Sequence, residues 1–185
     1  HQHHRNDSGA ALEAMKRLTE SQPDSPWVSL RLLELLLLEK QWEDSATLLA
    51  DMARVESSDQ AASSFAAIAG WLLAVFGDES SEQIDAAKQH FELALERDPE
   101  SMLARAGREE LARRKGDGGE LRTVLREKLD GSTSDEEAER LLLSLALEHE
   151  KADEGEQAVE IYRELNDRFP GSLSGHWGLV RCLRD

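Results

Sequence analysis

Apolar residues recur at three- and four-residue spacing along almost the whole chain, which is the period of an α-helix. The pattern predicts ten helices, over 8–21, 26–39, 42–56, 60–76, 83–97, 101–115, 119–129, 135–151, 155–168 and 173–184. The breaks between them have local causes. Ser25-Pro26 is a cap followed by proline at the first helical position, where a missing N–H costs nothing. Ser80 with Gln83, and Ser134 with Glu137, have the spacing of a reciprocal capping box. Gly77, Gly116, Gly131 and Gly171 stand just past helix ends, where a left-handed residue is expected. The connections are short, and short connections make neighbouring helices antiparallel.

The same spacing returns several times along the chain. Ala87, Phe91, Ala94 and Pro99 lie four, three and five apart; so do Ala158, Tyr162, Leu165 and Pro170, and Ala11, Met15, Leu18 and Pro23. Degenerate copies stand at Ser45, Leu49, Met52 and Ser57, and at Leu121, Leu125, Lys128 and Thr133. Successive copies are 34, 42, 34 and 37 residues apart (11, 45, 87, 121, 158). The extra residues fall where loops are expected, most clearly at Asp78 to Glu82.

With these residues the chain resembles the tetratricopeptide repeat family, whose unit is a helix–turn–helix of about 34 residues. The first helix of such a unit carries a small residue with a large one three further on. Ala69-Gly70 with Leu73 and Leu145-Ala146 with His149 match; Leu32-Leu33 with Leu36 and Leu179-Val180 with Leu183 are bulkier; Arg108-Glu109 with Ala112 departs from the pattern. The resemblance implies an all-α fold, a right-handed α-solenoid (superhelix) of stacked antiparallel helix pairs with about ten helices. Its divisions are a half repeat over 8–21, repeats over 26–59, 60–99, 101–131 (degenerate) and 135–170, and a half repeat or capping helix over 173–185. Residues 1–7 are expected to be a tag or a disordered segment.

The physics of the pattern stands apart from the name. Small residues (Gly70, Ala87, Ala146, Ala158) let helices approach, and large ones (Phe91, Tyr162, Leu49) fill the space between three of them. Proline ends a helix because the residue before it is pushed out of the α region. One hairpin cannot bury its own apolar face, so hairpins stack.

Composition narrows the partners. There are 38 Asp+Glu against 22 Lys+Arg, a formal charge of −16. Nucleic acid needs a basic face, and none is expected here. No direct membrane insertion is expected, since the most apolar run, Leu30 to Leu38, is broken by Arg31 and Glu34. One cysteine, Cys182, leaves no intrachain disulfide. The chain opens on His1-Gln2-His3-His4 with no starting Met, which reads as a tag or a cut, so a fragment of a longer protein is expected. Arg-over-Lys, Ala-rich usage points to a bacterial source, cytoplasmic or periplasmic.

Candidate chemistry is sparse. Gly116 to Gly119 reads as a turn rather than a phosphate loop, because no strand precedes it. Asp135-Glu136-Glu137 and Glu154 with Glu156 stand at helix starts, where the helix dipole favours negative charge. His90, His149 and His176 fall on three separate helices, and His1, His3 and His4 read as tag residues. No catalytic constellation, no metal site and no cofactor are expected.

The resemblance then locates an interaction surface. First helices line the concave groove of such a solenoid. The groove positions are Trp27, Leu30, Arg31, Glu34 and Leu37; Ser64, Ala67, Ile68, Trp71 and Val75; Leu103, Ala106, Glu110 and Arg113; Arg140, Leu143, Ser144 and Leu147; and Ser174, Trp177 and Arg181. These are too apolar for the family's carboxylate clamp, so that activity is not carried over. The expected function is a non-catalytic scaffold binding a basic protein or peptide segment through apolar anchors. The alternative is a self-assembling structural module, a homo-oligomer, or the regulatory domain of a larger protein. The competing reading of the anchors is that they are core.

Overall fold

The computed structural model describes residues 2–22, 25–78 and 80–184, with side chains from Gly9 onward. Ten helices and, among the described residues, no strand make the fold all-α. They are α1 (Gln2–Ser21), α2 (Pro26–Leu38), α3 (Trp42–Val55), α4 (Asp59–Phe76), α5 (Ser81–Arg97), α6 (Met102–Lys115), α7 (Gly118–Asp130), α8 (Asp135–Lys151), α9 (Gly155–Arg168) and α10 (Leu173–Cys182). Every end lies within two residues of its expected place except the first. α1 begins at Gln2, because nothing in residues 2–7 breaks a helix. His1 and Pro23 lie outside the described residues.

Stacked helix hairpins of the α-solenoid kind form two compact units, residues 1–111 and residues 112–185. In the first, α1 packs on α2, α2 on α3, α3 on α4 and α4 on α5. Phe91 is fully buried there among Ala46, Leu49, Ala66, Leu73, Ala87 and Leu111. A smaller cluster joins Leu12, Leu32, Leu35 and Leu36. In the second unit α7 packs on α8, α8 on α9 and α9 on α10. Its core is built around Tyr162, with Leu125, Leu142, Leu145 and Leu165. Burying one such large side chain is worth roughly 1.5–3 kcal/mol.

The repeated pattern marks these cores. Ala87, Phe91 and Ala94, and likewise Ala158, Tyr162 and Leu165, are fully buried. The first copy is out of phase: Ala11 is exposed and Leu12 is buried in its place. α6 and α10 are shifted by two residues from the expected register. The small residues that admit a neighbour are Gly107 and Gly178, not Glu109 and Val180. A Cβ on Gly107 would stand 2.2 Å from the Phe91 ring, and one on Gly178 would stand 2.2 Å from the Tyr162 ring. Each glycine follows its aromatic by sixteen residues (91 to 107, 162 to 178).

The turns differ from expectation in one instructive way. Among the four glycines named, only Gly116 is left-handed, at φ 66°. Gly77 is extended and is needed for space, since a Cβ there would lie 2.4 Å from the Leu73 carbonyl oxygen. Among the described residues the other left-handed ones are Lys40 (φ 58°) and Asp153 (φ 59°). All three close the same double-bonded helix end. Lys40 N–H donates to Leu37 O and Gln41 N–H to Leu36 O; Gly116 to Arg113 and Asp117 to Ala112; Asp153 to Glu150 and Glu154 to His149. Each left-handed residue stands five before a copy of the repeated small position, Ser45, Leu121 or Ala158.

The capping boxes form in one direction only. Ser80 Oγ accepts from Gln83 N–H and Ser134 Oγ from Glu137 N–H. The return bond goes elsewhere: Gln83 Oε1 takes the Asp78 N–H, and Glu137 takes the Ser132 hydroxyl.

By length and composition α4 could cross a membrane. Its Ala62, Ala66, Ala67, Ala69 and Leu73 are buried in the core of the first unit.

Candidate interaction surfaces

Three helices of the first unit carry the expected anchors. α2 opens behind Ser25, whose side chain makes no cap bond, with Pro26 in its first turn. It turns Val28, Ser29, Leu32, Leu35 and Leu36 inward. The opposite stripe of Trp27, Leu30, Arg31, Glu34 and Leu37 is exposed, with Trp27 at 67% and Leu30 at 52%. Arg31 and Glu34 pair with each other within the stripe, so it holds no net charge of its own. α4, capped by Ser58, exposes Ser64, Ile68 and Val75 at helical spacing.

Two expected positions behave otherwise. Ala67 is fully buried in the core of the first unit and lines no surface, because the inward face of α4 is wider than the pattern implied. Trp71 is half-buried. Its indole N–H donates to Leu103 O at 3.0 Å, and its ring meets Phe91 edge-on at 5.9 Å. It joins α4 to the start of α6, where Leu103 and Ala106 are exposed and Glu110 is half-buried.

The second unit holds the remaining candidates. Arg113, Arg140, Leu147, Ser174, Trp177 and Arg181 are exposed. Leu143 is half-buried against the core, and the Ser144 hydroxyl turns back to Arg140 O. Arg181 is a latch: its guanidinium donates to Glu150 through Nε at 3.0 Å and Nη2 at 2.7 Å, and Tyr162 Oη donates to the same carboxylate at 2.5 Å. The Arg181 hydrogen bond holds Glu150 below the usual carboxylate range. Burial first, and then Glu150, push the Tyr162 phenol well up. Arg181 therefore fixes α10 to α8, a role that its place in the repeat did not announce.

The histidines do not converge. His149 Nδ1 lies 2.7 Å from Glu154, which also takes Arg122 at 3.1 Å. His176 Nδ1 lies 2.8 Å from Ser172 O. Burial, then the Arg54 charge, holds His90 below its ordinary value. Cys182 is half-buried at the edge of the second core. Two aromatics escaped the pattern altogether. Trp42 and Phe76 stack at 4.3 Å, and both stand at helix ends, outside the repeating core positions.

No known protein-family model matches the chain, and no curated protein matches it. Solved structures do. The crystal structure of MamA is 14% identical over 90% of this chain and 91% of its own, with a TM-score of 0.51. A second structure of the MamA protein is 13% identical over 90% of this chain and 85% of its own, also at 0.51. A thermophilic tetratricopeptide repeat protein of Thermus thermophilus is 14% identical over 100% of this chain and 94% of its own, with a TM-score of 0.43. At these identities the likeness to the MamA structures concerns the fold alone.

Proposed function

We propose that the chain is a non-catalytic protein-interaction module that takes a segment of a basic partner on the apolar face of its first unit. The observation that carries this reading is the exposure of Trp27, Leu30 and Leu37 on α2, Ile68 and Val75 on α4, and Leu103 on α6. The inward faces of these helices already supply the core, and these side chains remain 36–67% exposed outside it. Exposed contiguous apolar groups mark contact sites. The −16 charge favours a basic partner through long-range attraction.

The test is fluorescence anisotropy with a labelled amphipathic Leu/Lys peptide and its Leu/Glu counterpart. Binding of the basic peptide alone is expected. Leu30→Asp with Ile68→Asp should weaken it about ten-fold or more, about 1.4 kcal/mol. Val55→Asp, on exposed α3 surface, should not. Undiminished binding in the double variant overturns the reading.

A second reading, self-assembly, is favoured by α10, where Leu173, Trp177 and Val180 are exposed together with Leu183 just past its end. Sedimentation over a range of concentrations separates the two: association that Trp177→Glu abolishes supports assembly, and a monomer throughout removes it.

A further inference from the structure

We propose that the cavity between the start of α3 and the end of α4 binds a guanidinium group, the side chain of an arginine on a partner polypeptide. The cavity measures about 400 Å³ and has the Trp42–Phe76 pair in its wall. The two rings lie nearly parallel, at 19°, and each covers one face of the other. Phe76 is 51% exposed, which leaves part of its ring open to solvent.

The polar lining is almost all acceptor. Glu43, Asp44 and Asp78 bring carboxylates; among the described residues Lys40 is the one cation lining it. Each carboxylate is held by a neighbour and keeps lone pairs free. Glu43 takes the Gln83 amide, Asp44 takes Lys16 at 3.0 Å, and Asp78 takes the Ser80 N–H at 2.9 Å. The site is therefore set, and negative.

The shape selects among cations. Among the described residues one stacked aromatic pair and no other ring lines the cavity; such a wall suits a flat cation lying against it, whereas a tetrahedral ammonium is best held by several faces boxing it in. The guanidinium is planar and carries five N–H donors in a fixed fork, which matches carboxylates at the rim of one aromatic plane. The cavity shares no residue with the apolar face of α2, α4 and α6, so either proposal can fail without the other.

The whole chain, labelled with ¹⁵N, is titrated with N-acetyl-arginine amide while the indole N–H signals are followed, Trp42 being assigned from Trp42→Phe. The expected result is a saturable shift of the Trp42 signal at millimolar ligand, with N-acetyl-lysine amide binding at least about five-fold more weakly. Glu43→Gln with Asp78→Asn, both keeping their acceptor oxygens, should weaken arginine binding about five-fold or more while leaving the spectrum otherwise unchanged. A Trp42 signal that does not move, an equal response to lysine, or full binding by the double variant each overturns the proposal.

Discussion

Phe91 in the first unit and Tyr162 in the second occupy the same place in the repeated pattern, and their surroundings differ. Both are fully buried, and both meet a glycine sixteen residues on. Phe91 is held by shape alone: Gly70 and Gly107 press on its ring, where a Cβ would come within 2.7 Å and 2.2 Å, and Trp71 meets its edge. Tyr162 has shape on one side and a charged cluster on its hydroxyl. The same helix-to-helix fit is thus made once without polar groups and once with a latch that can be titrated.

The largest expected effect comes from removing the shape. Phe91→Ala should cost about 3–5 kcal/mol in chemical denaturation, since three helices meet on that ring. Next come the glycines. Gly107→Ala and Gly178→Ala should each cost about 1–3 kcal/mol through overpacking. Phe91→Leu should recover part of the loss in the Gly107 variant and none in the Gly178 variant; equal recovery in both would deny that each glycine serves its own ring. Smaller again is Tyr162→Phe, at about 1 kcal/mol, because Glu150 keeps its bonds from Arg181 when the hydroxyl goes.

The smallest effects are those of pH, and they separate the units. Tyr162 has a raised value in the folded state, so its contribution is complete below its ordinary 10.0 and is lost as pH rises through the raised value. Tyr162→Phe should flatten that alkaline decline. Glu150 has a lowered value, so its contribution is present above its ordinary 4.5 and is lost as pH falls through the lowered one. His90, in the first unit, is also lowered, and acid must charge a group that burial keeps neutral. Stability tied to His90 is present above its ordinary 6.5 and fades on acidification below it. Amide hydrogen exchange should therefore show the first unit loosening at mildly acid pH before the second, and His90→Gln should remove the difference.

Helix existence was legible because the apolar period is strong and Gly, Pro and Ser stand at nearly every break. The buried rings were legible too, since Phe91 and Tyr162 recur in a fixed frame with small residues. Register within α6 and α10 was not. Glu109 and Val180 occupy the expected small places, and the working small residue stands two positions earlier, a shift visible only once the ring it faces is in place. The sixteen-residue interval from aromatic to glycine would have shown it. The surface was legible in part: Trp27, Leu30 and Ile68 are exposed as expected, while Trp71 is drawn inward by a bond to a backbone carbonyl, which no side-chain pattern encodes. Trp42 with Phe76 went unread because the two meet across helix ends that no period connects.

The three left-handed corners at Lys40, Gly116 and Asp153 have a consequence for how such a chain can grow. Identical joints make the hairpins on either side exchangeable parts, so a swap of residues 39–41 for 152–154 should leave both flanking helices undisturbed. The join between α4 and α5, built on extended Gly77, has a different shape and does not belong to that set. Duplication of a whole hairpin between two like corners lengthens the array without any new backbone solution, and recombination within the odd one does not.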